Sequence, residues 1–235
     1  MAQYDQYAPF YDATQRPKAS AYRALLQRHH PDVESVLELG CGTGAVMASL
    51  IDHYIMTGLD NSEAMLAIAR NKLPHARFFL RDMSHFDLQA RFDAVICPFG
   101  GLNHLLSMAA WQATFDNART HLAPNGVFAF DINSQRQLRH LVNQPAFARE
   151  FDGGTLVMNV TDAGRGIVNW SISVLEESSG EDSHLHRDDI KEIAFPCEAI
   201  EAELLERFSN VLVFGDVDGA PASDDSASLC FVCFV

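Results

Sequence analysis

The chain has 235 residues, 48% of them hydrophobic, and a formal net charge of −14 at pH 7, which predicts one globular domain with room for a subdomain. Its apolar runs are shorter than the roughly 20 residues that cross a bilayer, and its first residues lack the features of a signal peptide, so we expect a cytoplasmic protein without membrane contact. Residues 1–150 hold 13 basic and 14 acidic residues, whereas residues 151–235 hold 4 and 17, and such an acidic part argues against nucleic acid as a partner. The acidic excess of residues 151–235 predicts either a solvated acidic surface or attraction of a cationic substrate.

Two N-terminal helices are predicted over residues 3–12 and 17–30, and strands then alternate with helices as far as about residue 141. The strands are predicted at 34–39, 54–59, 77–80, 92–97 and 126–132. The helices between and after them are predicted at 44–53, 62–72, 108–122 and 134–141. Apolar strands that alternate with helices predict an α/β fold, in which helices cover both faces of a mostly parallel sheet.

A different pattern begins at residue 151. Three runs that favour strands, 155–160, 166–175 and 185–195, are separated by turn residues and predict a small antiparallel insert. A helix over 196–208 and two strands, 211–214 and 228–235, follow, with a loop or hairpin tip over 216–226. The domain division is therefore 1–150 for the N-terminal helices and the α/β core, 151–195 for the insert, and 196–235 for a helix and two strands that complete the core sheet.

A glycine-rich turn follows the first apolar strand. Val36 to Leu39 lead into Gly40, Gly42 and Gly44, and Asp60 comes twenty residues after Gly40, at the end of the second strand. Glycines let the backbone turn tightly and approach a ligand closely, and a carboxylate at this spacing can accept hydrogen bonds from both hydroxyls of a ribose. The chain is therefore predicted to bind an adenosine-containing cofactor.

The glycine spacing also fits a nicotinamide-dependent oxidoreductase, because Ala45 can take the last position of that pattern. Two observations favour a different cofactor. Glu38 would repel a dinucleotide pyrophosphate but would attract the ammonium of an amino acid. None of the five tyrosines has a lysine four residues later, so one common hydride-transfer arrangement is absent.

Five ordered motifs resemble those of the class I S-adenosylmethionine-dependent methyltransferases, across about Tyr4 to Asn133. The motifs are Val36-Leu-Glu-Leu-Gly-Cys-Gly-Thr-Gly44, Gly58-Leu-Asp-Asn-Ser-Glu-Ala-Met-Leu66, Arg81-Asp-Met83, Phe92-Asp-Ala-Val-Ile-Cys97 and Leu122-Ala-Pro-Asn-Gly-Val-Phe-Ala-Phe130. Residues 97–105 resemble the small-molecule N-methyltransferases, including those that act on amino sugars. The resemblance implies a Rossmann-like seven-stranded sheet, S-adenosylmethionine as cofactor, and methylation of a small molecule at nitrogen by direct displacement. The alternatives are an NAD(P)-dependent oxidoreductase and a non-catalytic module that binds S-adenosylmethionine.

Ligands of open α/β sheets bind beyond the carboxyl ends of the strands, which defines one rim of candidate residues. The resemblance implies that Asp82 accepts the adenine amino group and that Met83 contacts the adenine, although Asp82 could instead cap a turn. The predicted cofactor-binding residues are Tyr11, Glu38, Gly40, Cys41, Gly42, Thr43, Gly44, Asp60, Asn61, Met65, Asp82, Met83 and Cys97.

His104 and Tyr11 are the predicted catalytic residues. His104 follows the fourth strand, where it could orient or deprotonate an acceptor, or merely bond its own loop. Asn103 could orient the acceptor amine instead. Tyr7 and Tyr11 share a helix face, and the resemblance implies that this segment folds over the cofactor; core anchoring is the alternative.

The remaining candidates concern metals, thiols and partners. His184 and His186 share one face of a predicted strand and could bind a metal, although no carboxylate stands at a clear spacing, so no metal is expected. Cys230 and Cys233 should point to opposite faces of the last strand and be buried, reduced thiols. The insert is predicted to line the acceptor pocket or to form a dimer contact, so the expected partners are a small-molecule acceptor and, as an option, a second copy of the chain.

Overall fold

The structure is a computed structural model that describes residues 3–15, 19–176 and 184–235. Its strands are β1 (Ser35–Leu39), β2 (Ile55–Asp60), β3 (Arg77–Leu80), β4 (Phe92–Cys97), β5 (Leu122–Asn133), β6 (Phe147–Phe151), β7 (Gly154–Gly164), β8 (Ile167–Glu176), β9 (His184–Ile193), β10 (Asn210–Phe214) and β11 (Ser228–Phe234). Its helices are α1 (Tyr11–Thr14), α2 (Ala19–His29), α3 (Met47–Leu50), α4 (Glu63–Lys72), α5 (Met108–Thr120), α6 (Gln135–Val142) and α7 (Cys197–Leu205), with short 3₁₀ turns over Ala8–Phe10 and Gly101–His104. None of the helices in the described parts of the chain has the length and apolar character that a membrane span needs.

The main sheet has seven strands in the order β10-β11-β5-β4-β1-β2-β3. Strands β3, β2, β1, β4 and β5 run parallel, and β11 is antiparallel to both of its neighbours. The other four strands form a separate antiparallel sheet in the order β6-β7-β8-β9. The predicted fold class, a mostly parallel seven-stranded sheet with a small antiparallel insert, is confirmed.

Side chains alternate between two cores, one on each face of the main sheet. In β11, Phe231 and Cys233 join the core that contains Trp111 and Phe115, whereas Cys230 and Val232 join the core on the opposite face. This alternation follows from the two-residue period of a strand. It confirms that Cys230 and Cys233 are buried on opposite faces, and both are free thiols.

Two helix predictions are wrong in extent. Residues 3–12 do not form one helix, because turns lead into the 3₁₀ turn and the four-residue α1. Only Met47–Leu50 of the predicted helix 44–53 is helical, since the glycine turn extends further. The predicted start of the second helix, at residues 17 and 18, and most of the predicted break before β9 lie outside the described residues.

The insert is larger than predicted, because it begins at β6 rather than at residue 151 and has four strands rather than three. β6 has almost no buried residues, so its sequence lacks the apolar alternation that predicts a strand. The antiparallel pairing of β6 with β7 holds these residues in a strand instead. The inner face of this sheet packs its apolar side chains against Tyr7 and Phe10 of the N-terminal segment.

Asn103 joins the two sheets just above the main core. Its side chain is fully buried; Nδ2 donates to the carbonyls of Asn133 (3.1 Å) and Ile193 (2.8 Å), and Oδ1 accepts from Asn133 N–H (2.9 Å). The hypothesis that Asn103 orients an acceptor amine is therefore not supported, because its polar atoms are used to hold the end of β5 against the end of β9.

We expect Asn103→Ala to lower the free energy of unfolding by about 2–4 kcal/mol, because it leaves buried backbone groups without partners and opens a cavity. Urea unfolding followed by circular dichroism measures this change. The control Asn143→Ala removes an exposed amide that donates to the Arg139 carbonyl and should cost about 0.5 kcal/mol or less. Equal effects of the two substitutions would contradict the role of Asn103 as a joint between the sheets.

Candidate functional site

The carboxylate of Asp60 clamps the glycine turn to the start of α4. Its Oδ2 accepts a hydrogen bond from Gly42 N–H (2.8 Å), and its Oδ1 accepts one from Ser62 N–H (2.8 Å). Ser62 is also the N-cap of α4, since its hydroxyl accepts from Met65 N–H (3.2 Å). A carboxylate offers about four acceptor positions, so Asp60 keeps capacity to accept from the hydroxyls of a ligand.

A cavity of about 130 Å³ lies over this clamp, and we call it the glycine-loop cavity. It opens between the carboxyl ends of β1 and β2, the place where open α/β sheets bind ligands. Predicted site residues supply much of its lining: Tyr11, Gly40, Gly42, Asp60, Asn61, Met65, Asp82, Met83 and His104.

The backbone at Gly40 and Gly42 forms the floor of the glycine-loop cavity. Gly40 has φ +66° and Gly42 has φ +52°, conformations that side chains rarely adopt. A Cβ at Gly40 would lie 3.1 Å from Met83 Cε, and one at Gly42 would lie 4.0 Å from Met65 Sδ. Side chains at these positions would therefore take up space that a ligand needs.

Several predicted cofactor-binding residues lie behind this cavity instead of lining it: Glu38, Cys41, Thr43, Gly44 and Cys97. Cys41 and Cys97 are buried, and burial raises the pKa of both thiols. Thr43 is buried and donates its hydroxyl hydrogen bond to Asp12 (2.6 Å). Asp82 lines the cavity but also accepts from Ser84 N–H (2.8 Å), so the turn predicted as its alternative is present. Direct cofactor contact by these residues stays a prediction.

Glu38 is a buried carboxylate at the end of β1, 2% exposed, and its Oε2 has no hydrogen-bond partner among the described residues. Burial, and secondarily the charge of Asp60, raise the pKa of Glu38 well above its ordinary value. Burial also raises the pKa of Asp60, although its backbone hydrogen bonds oppose the change. A positive charge placed between these groups would therefore be strongly favoured.

The N-terminal segment covers the site, and hydrogen bonds along its length fasten it to the core and to the insert. Asp188 of β9 accepts hydrogen bonds from the N–H groups of Gln6 (2.9 Å) and Tyr7 (2.7 Å). Ser62 donates to Asp5 (2.9 Å), and Asp12 binds both Thr43 and Lys72. The segment thereby connects the glycine turn to the insert.

A second cavity, of about 370 Å³, lies on the other side of the N-terminal segment, and we call it the tyrosine cavity. It shares Tyr4, Tyr11, Pro98 and Phe99 with the glycine-loop cavity, so these four residues form the boundary between the two. Its far wall comes from the inner face of the insert: Met158, Trp170, Ile172, Ile190 and Glu192.

His104 lies at this boundary. Its Nε2 is 3.3 Å from the hydroxyl of Tyr4, its Nδ1 is 3.4 Å from the carbonyl oxygen of Lys191, and its ring meets that of Tyr4 edge to face at 5.4 Å. His104 lines the glycine-loop cavity, and its neighbour Tyr4 lines both cavities. The structure thus places Tyr11 at the boundary and His104 beside it, and their catalytic role stays a prediction.

The hypothesis of a metal site at His184 and His186 gains no support. His186 Nε2 pairs with Glu176 Oε2 at 3.0 Å, and its ring lies 4.9 Å from that of Phe10. Among the residues that the structure describes, no group of three metal-binding side chains comes together.

Sequence reasoning missed the residues that build the tyrosine cavity, among them Tyr4, Asp131, Trp170 and Glu192. Asp131 lies at the carboxyl end of β5, where its position in the sequence alone indicated no role. Trp170 and Glu192 come from the insert, whose position against the rim depends on long-range packing. Tyr4 could have been found, because it lies three residues before Tyr7 and repeats the spacing of an aromatic stripe.

Residues 36–126 match the protein family described as a methyltransferase domain. The chain is 37% identical over 128 residues to dTDP-3-amino-3,6-dideoxy-alpha-D-glucopyranose N,N-dimethyltransferase of Streptomyces fradiae, which covers 51% of this chain and 50% of that protein. Other curated relatives match similarly, so the chain spans about half the length of the relatives it matches.

Solved structures extend the likeness to the whole fold. An S-adenosylmethionine-dependent methyltransferase from Clostridium acetobutylicum ATCC 824 superposes with a TM-score of 0.87 at 22% identity, over 99% of this chain and 98% of that one. The sugar N-methyltransferase KedS8 from Streptoalloteichus sp ATCC 53650 has a TM-score of 0.80 at 23% identity, over 99% and 93% of the two chains. At these identities the likeness shows the fold.

We expect Glu38→Gln to stabilise the ligand-free protein by an amount that grows with pH. The raised pKa means that folded Glu38 keeps a proton that the unfolded chain releases above about pH 4.5, so wild-type stability is lost as the pH rises from that value. The advantage of the variant should grow by up to about 1.4 kcal/mol per pH unit. Urea unfolding at pH 5, 6, 7 and 8 measures it.

The matched control is Glu34→Gln, an exposed residue just before β1, which should change stability little and without this pH trend. A Glu38 variant whose stability runs parallel to that of wild type from pH 5 to 8 would contradict the buried, uncompensated carboxylate.

Proposed function

We propose that this chain, which carries a methyltransferase domain within a class I methyltransferase fold, transfers a methyl group from S-adenosylmethionine to a nitrogen atom of a small molecule. The observation that carries the proposal is the pair of adjoining cavities. The glycine-loop cavity holds the Asp60 clamp, and the tyrosine cavity meets it across Tyr4, Tyr11, Pro98 and Phe99. A donor and an acceptor bound in the two spaces would face each other at that boundary.

The residues of the glycine-loop cavity fit the donor. The free acceptor positions of Asp60 suit the two hydroxyls of a ribose, and Gly40 and Gly42 leave the floor clear. Met65 and Met83 supply an apolar surface for the adenine ring. Glu38 lies behind this cavity, and we propose that its oxygen without a described partner attracts the ammonium at the other end of the molecule.

S-adenosylmethionine supplies an activated methyl group on a positively charged sulfur. The nitrogen lone pair of the acceptor forms the new N–C bond while the C–S bond breaks, its electron pair goes to sulfur, and the nitrogen afterwards loses a proton. The protein must align the reacting atoms and exclude water, and the aromatic boundary supports both tasks. His104 would accept a proton directly or through the Tyr4 hydroxyl.

Nitrogen as the acceptor atom is supported by the relatives, since the Streptomyces fradiae protein is an N,N-dimethyltransferase and the solved neighbours include a sugar N-methyltransferase. The family match favours this function over an NAD(P)-dependent oxidoreductase, and the second cavity favours it over a module that binds the cofactor alone. A homodimer, a cytoplasmic location and the domain division with the insert as acceptor-pocket wall stay predictions.

We expect Asp60→Asn to weaken binding of S-adenosylhomocysteine about 10- to 100-fold, because hydrogen bonds to a charged carboxylate are worth about 1.5–3 kcal/mol. Isothermal titration calorimetry measures the dissociation constant. The same titration with NAD and NADP should show no binding to wild type.

Asparagine keeps an oxygen for only one of the two backbone N–H groups, so circular dichroism and thermal unfolding first establish that the Asp60 variant is folded at the temperature of the titration. The control Asp32→Asn changes an exposed carboxylate and should bind normally. Unchanged affinity in the Asp60 variant, or tight binding of NAD(P) in place of S-adenosylhomocysteine, would rule out the proposed function.

We expect His104→Ala to lower kcat by about 10²- to 10⁴-fold on an accepted amine while the affinity for S-adenosylhomocysteine changes less, as for a residue that moves a proton. Tyr4→Phe removes the hydroxyl beside His104 and should give a smaller loss in the same direction. Turnover and calorimetry on the same folded preparations separate the two quantities. Full turnover in His104→Ala would leave alignment as the sole catalytic contribution of the protein.

A further inference from the structure

The walls of the tyrosine cavity combine aromatic rings with carboxylates. Tyr4, Tyr7 and Tyr11 form a cluster with ring centroids 5.8–6.3 Å apart, and Trp170 and Phe99 add to the lining. Aromatic faces attract cations, most strongly where water is excluded. The aromatic lining is therefore a first indication of a cationic ligand.

Charge gives a second, independent indication. Asp131, Glu192 and Asp216 line the tyrosine cavity, and Asp216 already has a partner, so the charge argument concerns the first two. None of the described lining residues is a lysine, arginine or histidine. Arg16 and Lys18, which follow the lining residue Gln15 in the sequence, lie outside the described residues. The described wall of the cavity thus carries carboxylates without basic side chains.

Glu192 is the carboxylate best placed to meet a ligand. It is 7% exposed at the end of β9, and its Oε2 accepts a hydrogen bond from the side-chain amide of Asn133 (3.1 Å). Asn103 fixes the backbone of Asn133, which in turn fixes the amide that holds Glu192. Because an amide is neutral, this partner orients the carboxylate but does not balance its charge.

Asp131 differs from Glu192, because the protein itself already satisfies it. One of its oxygens accepts from both the hydroxyl of Tyr22 (2.5 Å) and Phe99 N–H (2.8 Å). It therefore holds the boundary loop in place while adding negative potential to the cavity. Among the described residues, Glu192 accepts one hydrogen bond where Asp131 accepts two, so Glu192 has the greater acceptor capacity left for a ligand cation.

We propose that the acceptor of this chain is an amine that binds as a cation and carries no phosphate, and that Glu192 determines this specificity by pairing with its charge. The bound amine then gives its proton to His104, directly or through the Tyr4 hydroxyl, before its lone pair attacks the methyl group. This inference rests on the proposed function and names its substrate class. The relative from Streptomyces fradiae is named for a dTDP-linked amino sugar. A diphosphate in or beside the tyrosine cavity would face carboxylates at short range, and like charges close together are strongly disfavoured.

The first experiment uses tetramethylammonium chloride, the simplest probe of a cation site. The chain has two tryptophans, and Trp170 lines the cavity whereas Trp111 is fully buried in the core, so a ligand in the cavity should change the fluorescence of Trp170. We expect saturable binding to the protein loaded with S-adenosylhomocysteine, against a sodium chloride titration at equal ionic strength. Trp170→Phe should remove the signal.

The test of Glu192 is the substitution Glu192→Gln, which keeps an oxygen for the Asn133 amide and removes the charge. It should weaken tetramethylammonium binding by about tenfold or more, with the dissociation constant of S-adenosylhomocysteine unchanged. The control Glu150→Gln makes the same change of net charge on an exposed residue of β6 and should bind like wild type. Equal affinity in the Glu192 and Glu150 variants would overturn the role of Glu192.

The second experiment uses a matched pair of acceptors, dTDP-3-amino-3,6-dideoxy-α-D-glucopyranose and the methyl glycoside of the same amino sugar. The glycoside should bind the loaded protein about tenfold more tightly or better. Tighter binding or faster methylation of the dTDP-linked sugar would overturn the inference, and Arg16→Ala/Lys18→Ala would then show whether the two undescribed cations bind its phosphates.

The two proposals fail in different ways. A protein that binds S-adenosylhomocysteine but neither tetramethylammonium nor the glycoside refutes the phosphate-free cationic acceptor and leaves methyl transfer standing. A protein that does not bind S-adenosylhomocysteine refutes the methyltransferase function itself.

Discussion

The carboxylate of Asp60 is the contact on which the rest of the site depends. It holds Gly42 and Ser62 through one hydrogen bond to each backbone N–H, and so fixes the glycine turn after β1 relative to the first turn of α4. The hydroxyl of Ser62 in turn donates a hydrogen bond to Asp5 and so connects α4 to the N-terminal segment. Because the same segment is bound to β9 by Asp188, the position of the insert is tied to the geometry of the glycine turn.

The two cavities follow from this arrangement. A parallel sheet leaves a groove beyond the carboxyl ends of its strands, and the segment with Tyr4 and Tyr11 divides that groove. Tyr4 has φ +79°, a conformation that costs free energy for a residue with a side chain. The surrounding contacts hold it there, with its hydroxyl close to His104. Tyr4, the residue with this unfavourable φ, thus lies at the boundary at which transfer would occur.

The sequence predicted the sheet and the glycine-turn side of the site, because both depend on local patterns. Apolar runs and glycine spacing identified β1, β2 and the position of Asp60. It did not predict β6, whose exposed residues carry no apolar alternation, nor the irregular segment before α1. Glu192 could not be assigned to the site, because its place there depends on Asn103 and Asn133, which lie far from it in the sequence.

The match to the methyltransferase domain covers the glycine turn but not the insert. The family match ends at residue 126, and the contacts that shape the acceptor side, those of Asp131 and Glu192, lie beyond it. The acidic excess of the chain also lies in residues 151–235. The same donor-binding core can therefore occur with acceptor pockets of different charge. Specificity for the acceptor depends on the polar and charged side chains of the pocket that have no partner within the protein. On the proposed function, a donor with a positive sulfur would meet a rim that holds the carboxyl groups of the buried Glu38 and of Asp60, and a cationic acceptor would meet Glu192 on the far wall of the tyrosine cavity. Positive charge on either ligand would favour the ionised form of Glu38 and Asp60, whose pKa burial raises in the ligand-free protein.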